Sequence, residues 1–102
     1  MAVVDSYKVS FYGGPSGYQD VRAQIELHDA AGQPIGWLRF HDRRQPIPAD
    51  SQIGGVIEVH YPGAMFESVI DVLRNEGPLA IDNSGAVAIF STENFEPVGE
   101  GE

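Results

Sequence analysis

Seven residues in two short stretches hold the side chains that chemistry would need. "WLRFHDRR", residues 37–44, supplies Trp37, Arg39, His41, Arg43 and Arg44; "VIEVHY", residues 56–61, supplies Glu58 and His60. A carboxylate beside an imidazole can move protons, and an arginine can hold an anion through paired N–H donors. In an extended chain side chains two apart share a face. Trp37, Arg39 and His41 would then stand together, and Glu58 and His60 would join them if the two stretches are neighbouring strands. Arg43 and Arg44 would lie in the loop that follows. The plainer alternative is a charge ladder on a solvated sheet face, which exposed antiparallel faces normally carry. No catalytic residue is assigned on this pattern.

Other chemistry finds less support. His28, His41 and His60 lack the close spacing of a zinc motif, and no cysteine is available to help, so no metal is expected. "GGPSG", residues 13–17, lacks the lysine and following helix of a phosphate-binding loop. None of the serines sits in a "GxSxG" elbow. No cofactor is expected, and the balance leans away from an enzyme.

Strands must position the seven candidates. In "QDVRAQIELH" Val21, Ala23, Ile25 and Leu27 alternate with Arg22, Gln24, Glu26 and His28, the signature of a half-buried strand. "SYKVSFYG" before it puts Tyr7, Val9 and Phe11 on one face. "IGWLRFH" after it puts Leu38 and Phe40 on one face and Trp37, Arg39 and His41 on the other. These three read as a meander. Pairing Gln24 with Arg39 would bring Glu26 beside Trp37 and Arg22 beside His41. "GGVIEVHY" is a fourth strand, with Ile57, Val59 and Tyr61 on its apolar face.

The loop between the third and fourth strands, residues 42–52, is long against a usual connection of about 4–6 residues. Pro46 and Pro48 stiffen it, and Ile47 between them has reason to pack. It is either a binding element or a crossover that closes one end of the sheet.

"PGAMFESVIDVLRNEGP" is the one helix: Phe66, Val69, Ile70 and Leu73 recur at helical spacing, with Met65 and Val72 widening the stripe. Glu67 and Arg74 suit the dipole at the two ends, Gly77 is a natural left-handed stop, and Pro78 blocks continuation. "PLAID" and "AVAIFST", joined by "NSG", complete a β-β-β-β-α-β-β order.

The expected fold is a single α+β domain over residues 1–97: a curved, mainly antiparallel sheet of about six strands with one amphipathic helix packed on it. Residues 98–102 form an acidic tail with nothing to bury. Trp37 on the polar face is an odd use of a large apolar group, and suggests that this face is partly covered.

The chain of 102 residues carries 15 acids and 6 basic residues, a formal charge of −9. That field argues against nucleic acid and against anionic membranes. No apolar run is long enough to span a bilayer, no signal-peptide pattern opens the chain, and the lack of cysteine fits a reducing cytoplasm. The leading functional expectation is a non-catalytic interaction module that forms a homo-oligomer, a dimer being favoured, through Trp37, the loop and an outer strand edge. The second is a small-molecule binder or small enzyme using Arg39, His41, Arg43, Glu58 and His60. The third is an acidic inhibitor of a basic protein.

Overall fold

The computed structural model describes residues 2–15, 17, 21–42, 46–84 and 87–92, apart from the side chains of residues 84, 87 and 89. The expected loop arginines Arg43 and Arg44 and the acidic tail at 98–102 lie outside the described residues. The architecture is α+β, with strands and one helix sharing a single core.

A bent N-terminal strand starts two sheets. β1 (Ala2–Val4) and β2 (Ser6–Phe11) are separated only by Asp5, whose N–H donates to the carbonyl of His28 at 2.8 Å. β3 (Val21–His28), β4 (Pro34–His41), β5 (Ser51–Ile53) and β6 (Val56–Pro62) build the larger sheet, in the order β2-β3-β4-β6-β5. β7 (Leu79–Ser84) and β8 (Val87–Thr92) pair with β1 in a smaller sheet ordered β1-β7-β8. The expected curvature is therefore realised as two sheets joined by a bent strand. Two three-residue strands, β1 and β5, add to the six expected.

β2, β3 and β4 form the expected antiparallel meander, whereas β6 runs parallel to β4. Parallel neighbours need a crossover of about a dozen residues or more. Residues 42–55 supply it, which accounts for the long loop. β5 is the last part of that crossover and turns back through Gly54, at φ +62°, to pair with β6. Ile47, expected to pack, is 43% exposed.

The expected register holds at Gln24–Arg39 and Glu26–Trp37 but not at Arg22. A bulge between Val21 and Ala23 puts Val21 opposite His41. Arg22 turns instead to Asp42, at 2.7 Å, and to the carbonyls of Tyr12 and Gly14.

The apolar faces meet as the alternation predicts. Ile25, Leu27 and Leu38 are fully buried, and Phe40, Ile57 and Val59 nearly so. Ile81 of the smaller sheet packs into the same core. Gly36 permits this approach: a Cβ there would lie 2.7 Å from Ile81 Cδ1 and 3.3 Å from the carbonyl of Ile57.

The helix α1 (Phe66–Asn75) buries Val69 and Leu73 and half-buries Phe66, Ile70 and Val72 against the core. It is entered through a 3₁₀ turn at Gly63–Met65 with no side-chain cap, so Met65 is 42% exposed rather than part of the stripe. Glu67 and Arg74 occupy its first and last turns. Its end differs from expectation. Glu76 is extended, its N–H donating to Val72, and Gly77, cis to Pro78, is not among the glycines at positive φ. No helix among the described residues is long and apolar enough to cross a membrane.

Candidate functional site

The parallel pairing of β4 with β6 sets Trp37 opposite Glu58 and Arg39 opposite His60. The outer face of the larger sheet thereby gathers five of the seven sequence candidates: Trp37, Arg39, His41, Glu58 and His60. Arg43 and Arg44 lie outside the described residues.

The five form one connected network. Arg39 Nη1 donates to Glu58 Oε1 at 2.8 Å, and Arg39 Nε donates to Gln24 Oε1 at 3.1 Å. The guanidinium also lies 4.6 Å over the Trp37 ring. Glu58 Oε1 is 3.4 Å from His60 Nε2. His60 Nδ1 is 2.6 Å from His41 Nε2, close enough that one ring must donate and the other accept. Two fully protonated rings would set two N–H groups against each other, so the pair holds at most one positive charge.

Burial decides what this network can do. His41 is buried, and the His60 side chain is 7% exposed. The His60 pKa is pushed down, first by that burial, then by His41, with Glu58 and Asp50 opposing and Arg39 adding to the fall. His60 is thus a neutral imidazole at neutral pH, with Nδ1 engaged and Nε2 facing a carboxylate. Arg39, neutralised by Glu58, is not an unpaired anion holder. The Trp37 ring is half-buried, and its Nε1 is buried without a hydrogen-bond partner. The arrangement is a row of neighbouring side chains, Glu58–His60–His41, set in a sheet face, with His60 and His41 at hydrogen-bond distance.

Two residues outside the sequence list belong to it. Gln24 holds the far side of Arg39. Asp50 accepts the His60 N–H at 2.7 Å through Oδ1 and the Ala88 N–H at 2.7 Å through Oδ2. One carboxylate thereby ties β6 to β8. No sequence pattern marked it, because the three-residue strand that follows it shows no period. His28, read as a lone histidine, bonds Glu26 and the carbonyl of Gly32. Among the described residues no group of three or more His, Asp or Glu forms a metal cluster.

A second surface lies at the other end of the larger sheet. β2 is its edge strand, with β3 on one side and no described strand on the other. Phe11 is 71% exposed and Tyr7 36% exposed on this strand. Phe11 leans on Phe66 with ring centroids 5.2 Å apart, and the two form walls of a shallow groove of about 330 Å³ floored by the buried Ala23 and Phe40 and flanked by Ala64 and Glu67.

Neither a protein-family model, nor a curated protein, nor a solved structure matches this chain.

Proposed function

We propose that this chain is a non-catalytic interaction module that self-associates, in the cytoplasm. The observation that carries the reading is the edge of β2 against which no described strand pairs, with Phe11 and Tyr7 exposed along it. An unpaired strand edge offers backbone donors and acceptors to another chain, and natural proteins cover such edges or use them. The outer-face network speaks for the same reading from the other side. Arg39 is paired with Glu58 and the facing His41 and His60 nitrogens with each other, which favours a structural face over groups poised toward a reactant.

The test is mass as a function of concentration and salt, by sedimentation or light scattering. The expected result is a concentration-dependent rise above the chain mass of 11.1 kDa. Because each copy carries −9, added salt should screen their repulsion and strengthen association. A single-chain mass at every concentration and salt overturns the reading. Association with a basic protein would instead weaken with salt, the behaviour of an acidic inhibitor.

One observation favours a second reading, a small-molecule site at the outer face: His41, His60, Glu58 and Arg39 do converge, where separate solvent-facing rings would have excluded it. Histidine ring signals followed by NMR against a panel of small anions and metabolites test it. Perturbation confined to His41 and His60 supports it, and unmoved rings across the panel exclude it for the compounds used.

A further inference from the structure

We infer that the partner at the β2 edge is the β2 strand of a second copy, antiparallel about a two-fold axis that passes through Val9, so that the two larger sheets join into one. This inference rests on the self-association reading and gives it a seam and a register.

The hydrogen-bonding parity of β2 comes first. The N–H of Tyr12 donates to the carbonyl of Arg22 at 2.9 Å, directly across from it in the β2–β3 register. In an antiparallel pair the backbone groups alternate sides residue by residue. The even-numbered residues Ser6, Lys8 and Ser10 therefore turn toward β3, and Tyr7, Val9 and Phe11 turn their N–H and C=O groups to the free edge. A second copy must meet those odd-numbered residues.

Face matching narrows the register. Residues directly opposite across an antiparallel pair point to the same face, so a symmetric pairing must join odd with odd and even with even. An axis through Val9 sets Val9 against Val9 of the second copy, and Tyr7 against Phe11 in both directions. Every free-edge backbone group of these three residues then finds a partner, and the two exposed aromatics cover each other. On the outer face Lys8 falls opposite Ser10. An axis through Lys8 would set two ammonium groups against each other, which opposes pairing.

Charge identifies the partner as another copy. The chain carries 15 acids, yet none lies between Asp5 and Asp20 in sequence, and its only lysine is Lys8 on β2. This edge is where two chains of charge −9 can approach without carboxylates directly opposed. Lys8 itself stands opposite Glu26 of β3 in the strand register.

The chain has no cysteine, so single introduced thiols are unique reporters. K8C and S10C chains, one of them tagged, are mixed, allowed to exchange and oxidised. Directly opposite positions lie closer than diagonal ones, so the Val9-centred seam predicts that the mixed K8C–S10C disulfide forms in clear excess over both same-site disulfides. Random proportions, or an excess of K8C–K8C, overturn the register.

V9P supplies the second arm. It removes a donor from the free edge and none from the β3 side, so the fold should survive, as an edge strand tolerates proline there. The expected result is native circular dichroism with the mass reduced to one chain. Should V9P fail to fold, the disulfide pattern alone decides. If the unmodified chain dimerises and V9P dimerises equally, the β2 seam is wrong while self-association stands. If the unmodified chain never exceeds one chain mass, both fail together.

Discussion

Burial sets the protonation of His60, and the consequence is a pH dependence of known sign. An unfolded imidazole titrates near about 6.5. In the fold the His60 value is lowered by burial and by His41. The folded state therefore takes up a proton less readily than the unfolded state, so the His60 contribution to stability is complete above the unfolded value of about 6.5 and is lost as pH falls from there through the lower folded value. His28 acts with the opposite sign. Its hydrogen bond to Glu26 raises its pKa, so its contribution is present in acid and is lost as pH rises through the folded value. The two effects separate by substitution. His60→Gln should flatten the fall in melting temperature on the acid side of neutrality. His28→Gln should leave that fall in place or steepen it. A His60→Gln protein with an acid limb as steep as the unmodified protein would contradict the neutral, buried His60 described above. Thermal melts at a series of pH values give the answer.

At the level of the element, the closure of the fold depends on one loop carboxylate. Asp50 bonds the His60 N–H on β6 and the Ala88 N–H on β8, where no ladder joins the two strands. Charge-assisted bonds to partly buried donors are worth about 1.5–3 kcal/mol each. Asp50→Ala should lower the unfolding free energy by about 3 kcal/mol, and Asp50→Asn by less, since its remaining oxygen still accepts one bond. Urea denaturation measures both, and an unchanged Asp50→Ala midpoint would show that the clasp does not hold the sheets. The sequence made β3 plain because eight residues of strict alternation leave one reading for Val21 to Leu27, and in β4 the shorter alternation of Leu38 and Phe40 sufficed. Alternation allowed the register that pairs Gln24 with Arg39 and Glu26 with Trp37 without singling it out. β1 and β5 escaped because three residues cannot show a period. The parallel direction of β6 escaped because alternation is the same in either direction; the length of residues 42–55 was the available clue. The bulge that turned Arg22 from His41 to Asp42 leaves no mark in the pattern. The gathering of Trp37, Arg39, His41, Glu58 and His60 was legible. The burial of His41 was not, because alternation assigns it to the same face as the half-exposed Arg39.

Across the whole molecule, two sheets and a helix share one core, and Gly36 lets the sheets approach closely at Ile81. Gly36→Ala should cost about 1–3 kcal/mol through overpacking, because the added Cβ meets the carbonyl of Ile57 as well as a movable side chain. A denaturant midpoint equal to that of the unmodified protein would contradict so close an approach. The same packing turns β2 outward as the end of the larger sheet, with no described strand against its odd-numbered backbone groups and with Tyr7 and Phe11 exposed. Self-association through that edge is the central claim, and amide hydrogen exchange at Tyr7, Val9 and Phe11 tests it most directly. The account predicts slow exchange at these three amides in concentrated protein and rapid exchange on dilution, while the β3-facing amides of Lys8 and Ser10 change far less. Rapid exchange at Tyr7, Val9 and Phe11 in concentrated protein would contradict it.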